Sequence, residues 1–311
     1  MKFVYCVDEN FNFQLATSIF SLLNNVNREI TIYVLHENPD TFNNFKKTFE
    51  NHSNCSLIEL IEVDTSGINF PNIKNAHVTK ATYYRIFIPR YIVDYDSLVY
   101  LDADTIIMSN PLDMLEMGIN ELNTKRLEIG ACIETTRQKS PDIFKRLDIS
   151  GDHYFNAGVM IFNKLKDENN QLTENLLEVM NKLGTKIKYW DQDVLNKYFD
   201  SKFLSLNPRL NWKIDDKQPR LEANSNPCIV HYAGSSKPWT LEGILYTDSQ
   251  YFQDNYLEFT KNKFYLLKSS WKLGTFKLLI KHIFNFSIFN NRSFMKIIIS
   301  TVIMLMKKRN I

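Results

Sequence analysis

Asp102 and Asp104 are the residues best placed to do chemistry. The apolar run Leu98-Val-Tyr-Leu101 delivers two carboxylates separated by one small residue, Ala103. On an extended strand, residues i and i+2 share a face, so the two carboxylates are expected side by side. Like charges that close repel unless a proton or a cation lies between them. A divalent ion with hard oxygen ligands is the natural occupant. A plain solvated strand-end turn fits the same residues, because Asp favours turns. The rest of the chain has to decide between them.

Four other features supply partners. The run His231-Tyr-Ala-Gly-Ser-Ser-Lys-Pro-Trp239 offers an imidazole, a flexible glycine at Gly234 and the ammonium of Lys237. A histidine can complete a carboxylate metal site, and a lysine can meet a phosphate oxygen. Arg85 is a second candidate for phosphate. Tyr154-Phe-Asn-Ala-Gly-Val-Met-Ile161 places Asn156 beside a small Ala-Gly pair at the start of an apolar run. An Asn amide can hold sugar hydroxyls as donor and acceptor together, and small residues let a ligand approach the backbone. Trp190-Asp-Gln-Asp-Val-Leu-Asn196 opens a helical pattern with Asp191 where the helix dipole favours a carboxylate. Its ordinary alternative is an N-cap. The chain has nine glycines and neither GxGxxG nor GxxxxGK[ST], so a metal and cationic side chains must hold any bound phosphates.

Positioning these residues requires a sheet. Strands are expected at 2–7, 29–35, 57–63, 97–102 and 129–133, with helices near 13–24, 40–52 and 79–91 between them. This alternation predicts an α/β sheet, largely parallel, with helices on both faces. In such sheets ligands gather at the carboxyl ends of strands, where Asp8 and the 102–104 pair fall. Further on, strands are expected at 154–162 and 228–232, and helices near 171–184, 191–199 and 249–261.

Charge divides the chain. Residues 261–311 carry eleven Lys and Arg and no Asp or Glu, which leaves 26 basic against 35 acidic residues before them, a net of −9. An acidic body at 1–260 with a basic tail at 261–311 points to an anionic surface. Eight aromatics are interleaved with the tail's cations, and its mostly apolar run at 297–306 is ten residues long. A spanning helix needs about 20, so the tail is expected to lie in a membrane interface. The four widely spaced cysteines, Cys6, Cys55, Cys132 and Cys228, form no CxxC pair and read as small buried hydrophobes. The start of the chain has no signal-peptide pattern, so the body is expected in the cytoplasm, peripheral on the inner face of the membrane.

Two uses of paired aspartates separate here. Haloacid-dehalogenase-type phosphatases read DxDx[TV] on an early strand, whereas this chain has Ile106 at the variable position and the pair a third of the way along. Nucleotide-sugar enzymes use the pair to hold a metal on a diphosphate. The stretches CVDENF, HVTKATYYRI, VYLDADTII, GACIE, YFNAGVMIFN, WDQDVLN and HYAGSSKPW together resemble glycosyltransferase family 8 over roughly residues 3 to 240. That family includes bacterial lipopolysaccharide galactosyl- and glucosyltransferases and glycogenin.

The resemblance implies a GT-A, Rossmann-like fold, a UDP-galactose or UDP-glucose donor and Mn²⁺ held by Asp102, Asp104 and His231. It places Asp8 and Asn10 at the uracil and ribose, Gly234 and Lys237 at the diphosphate, and Arg85 at the donor phosphate or sugar. Asn156, Asp191 and Gln192 would line the pocket for donor sugar and acceptor. Ala103 would leave the ribose room. Glu134 stands where the galactosyltransferases carry Asp, which leaves galactose and glucose both open. Retention of configuration is implied, and because Gln192 is an amide and a poor nucleophile, attack from the front face is expected. The acceptor would be a saccharide, lipid-linked if the tail docks on a membrane, as in lipopolysaccharide or other surface glycan synthesis. A metal-dependent phosphohydrolase and a non-catalytic nucleic-acid binder are the competing readings. The −9 body argues against the second, and no nucleic-acid partner is expected.

Overall fold

The computed structural model describes residues 1–73, 79–165, 171–214, 226–234, 237–240, 243–246, 248–261, 273–286, 289, 294–295 and 298–299. Ser235 and Ser236, most of the apolar run at 297–306 and the closing Lys307-Lys-Arg309 lie outside these residues. The strands are β1 (Lys2–Val7), β2 (Ile30–His36), β3 (Cys55–Glu62), β4 (Ser97–Leu101), β5 (Thr105–Ile107), β6 (Ile129–Thr136), β7 (His153–Asn163), β8 (Leu204–Ser205), β9 (Trp212–Lys213) and β10 (Ile229–His231). The α-helices are α1 (Asn12–Asn25), α2 (Asn43–Phe49), α3 (Ile88–Tyr91), α4 (Leu112–Lys125), α5 (Pro141–Leu147), α6 (Leu172–Leu183), α7 (Trp190–Phe199), α8 (Ser249–Phe259) and α9 (Leu273–Phe284).

The chain divides into two compact units, Met1–Trp212 with Pro227–Ile229, and Lys213–Asn226 with Val230–Ile311. The first unit holds a seven-stranded sheet in the order β3-β2-β1-β4-β7-β6-β8. Pairing is parallel from β3 through β4 and between β6 and β8, while β7 runs antiparallel to both β4 and β6. The mainly parallel sheet expected from the sequence is present, with β7 as the exception. Its direction was not legible, because an apolar run buried on both faces looks the same whichever way it runs. That reversal has a consequence for the site. β1 and β4 end at one edge, and the early residues of β7 arrive at the same edge. Leu101 pairs with Val159, and the Asp102 N–H donates to Gly158 O (2.8 Å).

The helices obey simple apolar spacing. α6 buries Thr173, Leu176, Met180 and Leu183, a 3-4-3 pattern that puts one stripe against α7, α3 and the Lys80–Phe87 segment. Each large apolar side chain in it contributes roughly 1.5–3 kcal/mol. Together with Phe87, Tyr100, Phe144 and Phe162, Leu176, Met180 and Leu183 belong to one core. The helix expected at 79–91 is mostly a 3-10 helix, Lys80–Phe87, followed by the single turn of α3. Thr79 caps it, its side chain accepting from the Ala81 N–H. β5, α4 and α5 were not anticipated. The three residues of β5 are too few to show a period and α5 spans only seven residues, whereas α4 did carry a readable stripe in Leu112, Leu115 and Leu122.

In the second unit, the Ile214 N–H donates to His231 O (2.8 Å) and the Gly234 N–H to Ile214 O (3.4 Å). The Tyr232 hydroxyl donates to Asp248 O (2.6 Å), Gln253 Nε2 donates to Pro238 O (3.0 Å), and the Trp239 and Phe252 rings pack 4.8 Å apart. α8 therefore backs the loop that carries Gly234 and Lys237. β5, β10 and β9 form a second sheet in that order, and the division between the units passes through β9 and β10 themselves. All four cysteines are free; Cys6, Cys132 and Cys228 are buried as expected, whereas Cys55, at the start of β3, is only half-buried. Among the described residues no helix is long and apolar enough to cross a membrane.

Candidate active site

β4 stops at Leu101, so Asp102 and Asp104 stand on the turn into β5 rather than on a strand. The turn, not strand alternation, sets their direction. Thr105 closes it: its N–H and hydroxyl both donate to Asp102 O, at 3.2 and 2.8 Å. Ala103 is buried at its centre. The Tyr100 hydroxyl donates to Asp102 Oδ1 (2.5 Å).

Arg85 is the hub beneath this turn. It is buried, with Nη2 3.0 Å from Asp102 Oδ1, Nε 2.8 Å from Asp191 Oδ2, and Nη1 donating to Ala157 O (2.5 Å). Its guanidinium lies 4.7 Å from the Tyr100 ring centroid. In a 3-10 helix, side chains at i and i+3 eclipse, so Thr82 stands in line with Arg85. Both reach Asp191: the Thr82 hydroxyl donates to its Oδ1 (3.0 Å). Asp191 is therefore not the cap of α7. Tyr189 holds that position without a side-chain cap bond, and the carboxylate of Asp193 reaches back to accept from the N–H groups of Lys188 and Tyr189, just ahead of the helix. Burial would lower the Arg85 guanidinium, but the charges of Asp102 and Asp191 outweigh it and hold Arg85 above its ordinary value. Burial drives the Asp191 carboxyl upward, to about 7; Arg85 pulls it down and Asp102 pushes it up.

Asn156 is the second hub. Its Nδ2 donates to Glu134 Oε2 (3.0 Å) and Gln192 Oε1 (3.3 Å), and its Oδ1 accepts from the Gly158 N–H and from Asn211 Nδ2, both at 2.9 Å. Two donors and two acceptors exhaust an amide. Asn156 therefore organises its neighbours and has no valence left for a sugar hydroxyl. Gln192 Oε1 also accepts from the Ala157 N–H (3.0 Å), and Gln192 is half-buried.

Asp8 is buried at the end of β1 and caps the following turn, accepting from the Asn10 N–H (2.9 Å), while Asn10 is exposed. Lys237 Nζ donates to Tyr232 O, and Gly234 is half-buried on the same loop. Asp102, Asp104 and His231 each present one ligand atom, and the three atoms lie within 4.8 Å of one another. Two hard carboxylate oxygens and an imidazole nitrogen suit a divalent cation.

With this geometry the family can be assigned. The sequence pattern of Glycosyl transferase family 8 matches residues 2–243. The chain belongs to glycosyltransferase family 8. General stress protein A of Bacillus subtilis is 28% identical over 283 residues, covering 84% of this chain and 94% of that protein. The lipopolysaccharide 1,2-glucosyltransferase of Escherichia coli is 25% identical over 267 residues, covering 81% and 76%. The crystal structure of the galactosyltransferase LgtC with donor and acceptor sugar analogues superposes with a TM-score of 0.68 at 22% identity, covering 83% of this chain and 96% of that one. The fold is the GT-A fold that the resemblance implied.

In this family-8 chain, five residues join the site that sequence reasoning did not single out: Thr82, Tyr100, Tyr154, Asp193 and Asn211. Thr82, three before Arg85, had no usable signal, because apolar spacing does not tell a 3-10 helix from an α-helix over so short a stretch. Asp193 had one in being the second Asp of WDQD. Asn211 had none, since it arrives on a short 3-10 turn, Pro208–Asn211, from outside every motif.

Proposed function

We propose that the chain is a retaining hexosyltransferase that takes galactose or glucose from a UDP-sugar with the help of a divalent cation, Mn²⁺ by preference. The observation that carries this reading is the convergence of Asp102, Asp104 and His231 in a chain of this family. A cation held there would supply positive charge where a diphosphate leaving group develops negative charge. The chain's own residues do the rest. Arg85 holds Asp102 and Asp191 in place and acts on the donor through them. Asp8 and Asn10 lie where a nucleoside would be held, Gly234 and Lys237 where a diphosphate would pass. Asn156 aims Glu134 and Gln192 at the donor sugar.

In the front-face course, the acceptor hydroxyl oxygen bonds to the anomeric carbon as the bond to the UDP phosphate breaks. The departing phosphate takes the hydroxyl proton. Lys237 meets charge building on that phosphate.

The acceptor is a saccharide of surface glycan synthesis, in keeping with what the Escherichia coli relative is named for. The body works in the cytoplasm beside a membrane that residues 261–311 dock to. In the described part of that segment, Ile280, Ile283 and Phe284 are exposed next to exposed Lys277 and Lys281. Such a face enters a headgroup layer, and each basic residue near an anionic leaflet adds on the order of 1 kcal/mol.

The test is hydrolysis of UDP-galactose, UDP-glucose and UDP-N-acetylglucosamine by the full-length chain, with and without Mn²⁺. One UDP-hexose should be turned over only with metal. Equal release of phosphate from sugar phosphates lacking a nucleotide would favour the phosphohydrolase instead.

A further inference from the structure

Gln192 has its amide orientation fixed from behind. The Ala157 N–H can only donate, so the Gln192 atom 3.0 Å from it must be Oε1. The same oxygen accepts from Asn156 Nδ2 (3.3 Å). Gln192 Nε2 then donates one hydrogen to the Tyr154 hydroxyl (3.3 Å). The Tyr154 hydroxyl passes its own hydrogen to Asp193 Oδ1 (2.8 Å). Asp193 cannot turn away: it is fully buried and held by Arg146 Nη1 (2.6 Å) and by the Lys188 and Tyr189 N–H groups (2.7 and 2.9 Å). Arg146 and the two backbone N–H groups can only donate, so Asp193 stands at the accepting end, which sets the direction of every hydrogen bond in the chain leading to Gln192. The second Nε2 hydrogen of Gln192 meets no acceptor among the described residues.

We infer that Tyr154 and Asp193 are positioning residues that lock Gln192 with its amide oxygen turned inward and one N–H presented to the substrate. Gln192 thus serves as a hydrogen-bond donor to the sugar or its leaving group, and its oxygen is withheld from the anomeric carbon. This inference rests on the proposed transferase reading, because that reading puts a donor sugar at Gln192.

Tyr154→Phe is the mild probe. It keeps the buried ring and leaves Asp193 with Arg146 and both backbone N–H groups, so the fold should hold. A misaligned group near the reacting centre costs up to about 100-fold in rate. The expected result is a kcat for Mn²⁺-dependent UDP-hexose turnover reduced roughly 10- to 100-fold, with donor KM within a few-fold of wild type. In a Gln192→Ala background, Tyr154→Phe should cause no further loss. An equal loss in both backgrounds, or an unchanged kcat, overturns the proposal. A second readout does not depend on turnover. In full-length protein labelled with ¹⁵N-glutamine, the Gln192 side-chain amide proton held by Tyr154 should exchange slowly in wild type and at least tenfold faster in Tyr154→Phe. Unchanged exchange overturns the positioning role. A wild-type chain that turns over no UDP-sugar while passing the exchange test refutes the transferase reading alone.

Discussion

At the scale of single residues, each candidate side chain has a partner that says what it does. Asp104 and Asp102 share one turn and one imidazole, so removing a carboxylate charge while keeping its shape should empty the site of cation and spare the fold. Asp104→Asn is expected to lower transfer at least 100-fold, a loss in line with removing one charge-stabilising group, with an unchanged circular-dichroism melt. Residual transfer above a tenth of wild type would remove Asp104 from the machinery. Asp191 makes a pH prediction. Its carboxyl is raised to about 7 in the folded chain by burial, against about 3.9 unfolded, so folding takes up a proton between those values. The stability that Asp191 contributes is present below pH 4 and lost as pH rises towards 7. In EDTA, the Tm of wild type minus that of Asp191→Asn should fall between pH 5 and pH 8. A difference that stays flat or rises contradicts the assignment.

At the scale of elements, Arg85 ties the 3-10 helix to the ends of β4 and α7 and to Ala157 of β7. The planar fork serves three directions at once, which an ammonium cannot. Arg85→Lys should cost about 2 kcal/mol in denaturant unfolding, from two or so weakened buried hydrogen bonds, and most of the activity. A stability change below about 0.5 kcal/mol, the size of an ordinary surface substitution, would show that the junction is not held this way. Much of this framework was legible in the sequence. Apolar runs ending in Asp8 and Asp102 marked the sheet edge, and seven spaced motifs marked the family. The hidden parts share a cause. The 3-10 geometry of Lys80–Phe87 that lines up Thr82 with Arg85 differs from an α-helix only in winding, which apolar spacing does not resolve over eight residues. The saturation of Asn156 depends on Asn211, 55 residues away, and no local pattern carries that pairing. Asp191 looked like a cap because it opens a helix, yet its carboxylate is taken by Arg85 and Thr82, and Asp193, two residues later, is the one that fastens the chain entering the helix.

At the scale of the whole molecule, the −9 body and basic tail predict a protein that works where an anionic surface meets a soluble donor. Truncation after residue 260 should abolish sedimentation with vesicles containing phosphatidylglycerol and leave hydrolysis of soluble UDP-hexose unchanged. Equal sedimentation of the truncated chain would end the docking proposal. The central claim is that a cation held by Asp102, Asp104 and His231 makes the nucleotide site. Calorimetric titration of UDP into the full-length chain tests it most directly, with Mn²⁺ present and after EDTA, for wild type and His231→Ala. The account predicts strong binding for wild type with Mn²⁺, at least tenfold weaker binding in EDTA, and a matching loss for His231→Ala even with Mn²⁺. UDP bound equally well in Mn²⁺ and in EDTA would contradict it.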